Sequence, residues 1–280
     1  MMMAKGRGVG MWGGMIAAIF AAMAVTGCQQ VVSVDLNTAN PHMVIEGNVT
    51  DQPGPYTVLL SKTGDYFEQS LVFPTVTGAL VTVTDDMGQA DTLKETVPGT
   101  YQSSKLAGIP GRTYELTVAT GGTTYTATSS MPPKVTIDSL YALQRPAGRG
   151  EPGYDVYITF KDPPQPGNYY RINATASNLP LADSIDGRRY RLYTDKLTNG
   201  NEMQERIRAG RNIAQGDTIT IQLLSIDKAS YDFFNTLSDI LQSDQAATSL
   251  APANPNSNIS NGSLGYFAAY TVDTRQIIIQ

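Results

Sequence analysis

Short stretches of alternating apolar and polar residues, each followed by a turn signal, dominate residues 42–131. In "HMVIEGNVT" (42–50), apolar residues recur at every second position, which is the period of a half-buried strand. "DQPGP" (51–55) supplies the Pro and Gly of a turn, and "ALVTVTDDMGQADTL" (79–93) is typical of a hairpin. Roughly seven short strands with frequent turn signals favour an immunoglobulin-like sandwich. We therefore predict an all-β fold that begins with an N-terminal sandwich over residues 41–132.

Two prolines in "MPPKV" (131–135) interrupt this pattern. Because proline cannot donate a ladder hydrogen bond, we place a domain boundary here and predict a second, C-terminal sandwich over residues 133–280. Within it, "DKASYDFFNTLSDILQ" carries Phe, Leu and Ile residues at helical spacing, and Asp227 is a suitable N-cap. We predict one inserted amphipathic helix over residues 227–242, packed on the second of two tandem sandwiches.

The charge balance limits the classes of partner. The chain has 25 acidic and 20 basic residues and a net charge of −5. Because an acidic chain repels phosphate backbones, nucleic acid is not an expected partner. The sequence contains one cysteine, so no disulfide can form within the chain and a packed core must supply the stability.

The N-terminal segment has the organisation of a secretory signal. Lys5 and Arg7 come first, and residues 11–25 are then apolar or glycine throughout. This apolar stretch is shorter than the roughly 20 residues that a helix needs to span a bilayer. We therefore interpret it as the apolar region of a removable signal.

The single cysteine follows this signal directly, in "VTGC" (25–28). The stretch resembles the bacterial lipobox, and the resemblance implies a signal peptide over residues 1–27 and a lipid on Cys28. The residues that follow are polar overall, and we predict a tether and an entry strand over residues 28–40. The alternative is an ordinary secretory signal that leaves Cys28 as a free thiol. No positive group near Cys28 in the mature sequence would lower the pKa of this thiol for catalysis.

Several sequence blocks carry a wider resemblance over nearly the whole mature chain. Together with the lipobox, they resemble a family of Bacteroidota outer-membrane lipoproteins, the domain-of-unknown-function family numbered 4249. The resemblance implies a lipoprotein that is often encoded beside TonB-dependent receptors, and it supplies no activity. The blocks are "DQPGPYTVLLSKTGDYF", "GIPGRTYELTV", "SSMPPKVTIDSLY", "SIDKASYDFFNTL" and "PANPNSNISNGSLGYFAAY", and the last is the most specific.

Side chains of the catalytic types are scarce. His42 is the single histidine, so a zinc site or a Ser-His-Asp triad would depend on it. Asp85, Asp86 and Asp91 could form a glycosidase pair, but they lie in one predicted hairpin, where a solvated turn is the simpler interpretation. We predict a protein that is not an enzyme and uses no cofactor or metal. A carboxylate-based hydrolase is the less favoured alternative.

Aromatic residues are the best candidates for contacts with a partner or ligand. The chain contains 15 tyrosines, whose amphipathic rings suit protein or sugar contacts when they are exposed. For each of them, packing in the core or at a strand edge is the alternative. The candidate contact residues are Tyr66, Phe67, Tyr190, Tyr266 and Phe267.

These observations favour an accessory or ligand-capture lipoprotein that acts with a TonB-dependent β-barrel transporter and is held to the outer membrane by its N-terminal lipid. A structural or adhesion lipoprotein at the cell surface is the alternative. The membrane face stays open, because surface-displayed lipoproteins of the resembled phylum often carry acids directly after the cysteine. Here the first acid is Asp35.

Overall fold

Strands supply most of the regular structure, as the alternating pattern predicts. The structure is a computed structural model that describes residues 41–64, 73–146, 152–177, 179–180, 190–207, 212–243 and 254–280. Cys28, Tyr66 and Phe67 lie outside these ranges. The strands of the first half are β1 (Met43–Thr50), β2 (Thr57–Lys62), β3 (Leu80–Asp85), β4 (Ala90–Val97), β5 (Thr100–Gln102), β6 (Thr113–Thr120) and β7 (Thr123–Ser130).

The second half adds further strands and the predicted helix. Helix α1 (Lys228–Ser243) follows β14 directly. The prediction of an all-β, sandwich-like fold with one inserted helix is confirmed. The remaining strands are β8 (Ile137–Gln144), β9 (Tyr154–Lys161), β10 (Tyr169–Ala176), β11 (Leu179–Pro180), β12 (Arg191–Thr194), β13 (Glu202–Ile207), β14 (Thr218–Ile226) and β15 (Leu264–Ile278).

One large mixed sheet connects both halves of the chain. Its strand order is β11-β10-β14-β15-β1-β2-β5-β4-β3-β6-β7, with β12 paired to β10, and a second sheet has the order β13-β9-β8. Strand β15 runs parallel to β1 and antiparallel to β14, so it joins the first strand to the second half. Residues Asn40–Gln280 accordingly form one compact unit.

Two large apolar clusters fill the interior. The first lies among β1–β7 and the second among β8–β15, so most of each cluster lies on one side of the predicted boundary between residues 132 and 133. Strand β15 serves both clusters, because Phe267 and Ala269 pack in the first and Ile277 packs against the second. A single closing strand thus completes two cores.

Helix α1 begins where the sequence predicts. The Asp227 carboxylate accepts a hydrogen bond from the Ser230 backbone N–H at 2.9 Å, which is the contact of an N-cap residue with the third helical position. Its second carboxylate oxygen accepts from the Ser129 hydroxyl at 2.7 Å and from the Ser130 backbone N–H at 3.3 Å. The helix is therefore tied at its start to the end of β7. Among the described residues, no helix is both long and apolar enough to cross a membrane.

The block with the most specific resemblance, "PANPNSNISNGSLGYFAAY", contains an asparagine that binds the backbone of β15, and we call this contact the Asn258 clamp. The Asn258 side chain accepts from the Phe267 N–H at 3.0 Å and donates to the Phe267 carbonyl at 2.7 Å, and so takes the place of a neighbouring strand. Gly265 has a φ of +93°, and an added Cβ would lie 2.0 Å from the Ile45 carbonyl oxygen. This position therefore requires glycine for the parallel contact of β15 with β1.

Candidate binding site

Strand β10 places an arginine on the outer face of the large sheet. Side chains alternate along this strand, and Tyr170 and Ile172 point into the second core. Arg171 therefore lies on the opposite face, where its neighbours in register are Leu192 of β12 and Leu224 of β14. The sequence thus places a charged side chain between two leucines, in surroundings that favour an apolar residue.

Helix α1 and strand β15 surround Arg171 with aromatic rings. Phe233 and Phe234 come from the buried side of the helix, Tyr266 from the outer face of β15, and Tyr190 from the residue before β12. The ring centroid of Phe234 lies 5.0 Å from that of Tyr190 and 4.9 Å from that of Tyr266. Phe233 and Tyr266 are 4.7 Å apart. We call Arg171 and these four rings the arginine–aromatic cluster.

The guanidinium group contacts two of the rings from one side. The central carbon of the Arg171 guanidinium is 4.1 Å from the Phe234 centroid and 4.8 Å from the Tyr190 centroid. Since these two rings are themselves only 5.0 Å apart, the three centres form a compact triangle. The rings therefore do not sandwich the guanidinium, and its other side is left free of them. Each cation–π contact contributes about 0.5–2 kcal/mol.

Burial and mutual electrostatics shift the pKa values in the cluster. Burial lowers the pKa of Arg171, and the nearby Tyr266, Tyr190 and Tyr270 act in the opposite direction. Burial raises the pKa of Tyr266 to about 12 despite the nearby guanidinium, and burial also raises the pKa of Tyr270. Both phenols are consequently protonated at neutral pH and can donate hydrogen bonds.

Arg171 lacks the counter-ion that other arginines of the structure have. Arg112 pairs with Asp85, Arg145 and Arg206 pair with Asp155, and Arg275 pairs with Asp273. Within the described part of the chain, no carboxylate lies within ion-pairing distance of Arg171, and its enclosed Nε has no hydrogen-bond acceptor. An enclosed donor without an acceptor costs about 1–3 kcal/mol, so this arrangement needs an explanation other than stability.

The cluster brings together two of the contact residues predicted from sequence. Tyr190 and Tyr266 lie on either side of Phe234, and both keep part of their surface exposed. Phe267 has 0% exposure and packs in the first core, because adjacent residues of a strand point to opposite faces. It therefore offers no surface for a contact.

Sequence reasoning missed the central residue of the site. Arg171 stands in "NYYRINATA", where it shares its strand face with Tyr169 and belongs to no recognisable motif. The sequence does contain one signal for this residue, a charge on the face of a strand that an amphipathic helix covers. The signal can be recognised only when it is known which strand lies under the helix.

The acidic residues considered for hydrolysis organise turns. Burial alone would raise the pKa of Asp91, but backbone N–H groups of Ser104, Lys105 and Leu106 donate to it and lower the pKa overall. Asp85 accepts from backbone N–H groups of its own turn and pairs with Arg112, and its pKa is also lowered. A general acid needs a raised pKa, so these two carboxylates are suited to a structural role.

A metal ion in a protein is usually held by several His, Cys, Asp or Glu side chains. No cluster of three or more His, Cys, Asp or Glu side chains occurs among the described residues. His42 is exposed at the start of β1, and its backbone N–H donates to the Thr63 hydroxyl at 3.0 Å.

Comparison with known families agrees with the family resemblance of the sequence blocks. The family model described as "Domain of unknown function (DUF4249)" matches residues 29–276. The chain belongs to this family. The match includes every residue of the arginine–aromatic cluster and the Asn258 clamp. No curated protein matches the DUF4249 chain.

Proposed function

We propose that this DUF4249 protein is a lipid-anchored, non-enzymatic envelope protein that acts as an accessory or ligand-capture partner of a TonB-dependent outer-membrane transporter. The arginine–aromatic cluster is the observation that carries the recognition part. A cation that has no counter-ion in the described ranges, bordered by partly exposed tyrosines, is suited to binding and offers no nucleophile or base.

The sequence supports the anchoring part of the proposal. Lys5 and Arg7, the apolar residues 11–25 and the "VTGC" stretch are the parts of a lipoprotein signal, and two or more acyl chains hold a protein stably on a membrane. Replacing Cys28 with Ser should move the protein from the membrane fraction to the soluble fraction. Persistence of the Cys28→Ser protein in the membrane fraction would contradict lipid anchoring.

The transporter part is tested by purification from native membranes. Tagged full-length protein, extracted in mild detergent, should co-purify with a β-barrel protein of the TonB-dependent type. The Cys28→Ser variant, prepared in the same way, is the matched control and should recover less of the barrel. A clean monomer from the wild-type extract would count against a transporter partner. If deletion then abolishes attachment of the cells, the structural or adhesion alternative is favoured.

The membrane face is tested by protease treatment of intact cells. A protein that resists the protease until the cells are lysed faces the periplasm, and a protein that is digested on intact cells is displayed at the surface. Digestion on intact cells would support ligand capture from the medium.

A further inference from the structure

The Arg171 guanidinium, which has no counter-ion among the described residues, has the chemistry of an anion receptor. Its planar fork of N–H donors matches the two oxygens of a carboxylate, and such charge-assisted pairs are among the strongest hydrogen bonds in proteins. The phenols of Tyr190, Tyr266 and Tyr270 lie within electrostatic range of the guanidinium and add hydroxyl groups that can form hydrogen bonds. An oxyanion is therefore the group that this arrangement is suited to bind.

The surroundings of Arg171 specify the rest of the ligand. Leu192 and Leu224 flank it along the sheet, and Phe234 contacts it from the helix. A strongly hydrated ion would lose its water shell against these apolar groups without compensation. A flat apolar body attached to the anionic group would instead bury its surface against them.

The charge at the site limits the charge of the ligand. The charged side chains that act on Tyr266 within the described ranges are Arg171 and Glu46, one of each sign. Because Arg171 is the single cation that acts on Tyr266 within these ranges, the site balances one negative charge better than two. A carboxylate fits this condition, whereas a phosphate monoester carries about −1.5 to −2 at neutral pH.

We infer that the arginine–aromatic cluster is a binding site for a small aromatic monocarboxylate, which pairs its carboxylate with Arg171 and lays its ring against the neighbouring aromatic side chains. Such a site explains why the enclosed Nε donor has no acceptor among the described residues. It does not depend on a transporter partner, so the two proposals can fail separately.

The inference is tested by titrating the full-length protein in detergent micelles with benzoate, with empty micelles as a blank. Selective ¹⁵N labelling of arginine makes the Nε signal of Arg171 the direct readout. Benzoate should shift this signal saturably. Acetate, which lacks the ring, and benzyl alcohol, which lacks the charge, should each bind at least about tenfold more weakly.

Variants separate the site from general effects of the ligand. Arg171→Met keeps the apolar stem and should weaken benzoate binding, measured by calorimetry, at least about tenfold. Arg171→Lys keeps the charge without the planar fork and should also bind more weakly than wild type. Arg275→Met removes an exposed arginine that pairs with Asp273, and its affinity should match that of wild type.

Several results would overturn the inference. They are the absence of a saturable shift, equal binding by Arg171→Met, or equal binding of benzyl alcohol. Equal binding of acetate would overturn the aromatic part of the specificity. Circular dichroism of each variant verifies folding, and if Arg171→Met is unfolded, the comparison of Arg171→Lys with wild type decides.

Discussion

At Arg171, the cost of burying a charge is set against contacts with two aromatic rings. The contacts with Phe234 and Tyr190 offset part of this cost, at about 0.5–2 kcal/mol each. The unpaired Nε and the partial loss of hydration oppose them. Residues that serve binding commonly reduce stability in this way, whereas residues selected for packing do not.

Replacing Arg171 with Met should therefore stabilise the protein. This change removes a charge that has no counter-ion in the described part of the chain from between Leu192 and Leu224, and it keeps the apolar stem. It should raise the free energy of unfolding by about 1 kcal/mol. Urea denaturation measures this difference, and Arg275→Met is the control at an exposed position. A loss of more than about 1 kcal/mol would mean that the cation–π contacts outweigh the cost of burial.

Asp91 presents the opposite case, a buried charge whose hydrogen-bond partners are complete. Three backbone N–H groups donate to one oxygen of the Asp91 carboxylate. Asp91→Asn removes the negative charge that strengthens these bonds, so the free energy of unfolding should fall by about 2–3 kcal/mol at pH 7. Asp86→Asn is the control, because Asp86 is exposed and accepts one backbone N–H at 3.2 Å. A similar loss in both variants would contradict a special role for Asp91.

The same residue gives the protein a defined pH dependence. The pKa of Asp91 is lower in the folded state than in the unfolded chain, where it is about 3.9. Its contribution is therefore complete above that unfolded value and is lost as the pH falls through the lower folded value. The difference in unfolding free energy between wild type and Asp91→Asn should shrink over that acidic range. A difference that stays constant would contradict this prediction.

Helix α1 shows what a sequence pattern can predict about an element. The spacing of its apolar residues and the cap at Asp227 are local features, and the observed bounds differ from the predicted ones by one residue at each end. The second role of Asp227 is not local. Its bonds to Ser129 and Ser130 join residues about a hundred positions apart, and no periodicity contains this information.

Asp227→Ala should lower the free energy of unfolding by about 2–3 kcal/mol, because it removes the helix cap and the charge-assisted bond from Ser129 together. Asp239→Ala, at an exposed position of the same helix, should cost less than about 0.5 kcal/mol. Thermal unfolding followed by circular dichroism compares the two. Equal effects would show that Asp227 contributes only its negative charge and that its hydrogen bonds add no stability.

The contact of β15 with β1 depends on one glycine. Gly265→Ala should cost about 4 kcal/mol or prevent folding, because the new Cβ would overlap the Ile45 carbonyl at a φ of +93°. Gly262→Ala is a matched control, since Gly262 also has a positive φ of +69° but open space around it, and should cost only about 1 kcal/mol. Equal costs in the two variants would mean that the close contact is relieved by a backbone shift.

At the scale of the whole molecule, one strand makes two cores interdependent. The alternation of residues 42–131 correctly predicts strands, but alternation does not identify strand partners. The parallel pairing of Ile45 with Gly265 joins residues 220 positions apart. Local patterns in the sequence predict two sandwiches, but they do not reveal that strands of both halves belong to one sheet. The arginine–aromatic cluster was unpredictable for a related reason, because β10 and β15 are brought together by their pairing with β14, and α1 then packs on both strands.

Unfolding should accordingly be a single cooperative transition. Ile45→Val in the first core and Ile221→Val in the second should each lower the unfolding free energy by about 1 kcal/mol and shift the same midpoint. Tyrosine fluorescence and far-ultraviolet circular dichroism should give coincident urea curves. Two separate transitions, each sensitive to one variant, would show that the cores are independent.

The parallel pairing of β15 with β1 also has a consequence during synthesis. At about 5–20 residues per second, on the order of 10–40 seconds separate the emergence of β1 from that of β15. Throughout that interval, β1 has an open edge, and the first core lacks Phe267 and Ala269. An open strand edge invites pairing with other chains. The nascent protein should therefore need a chaperone that covers β1 until its parallel neighbour arrives.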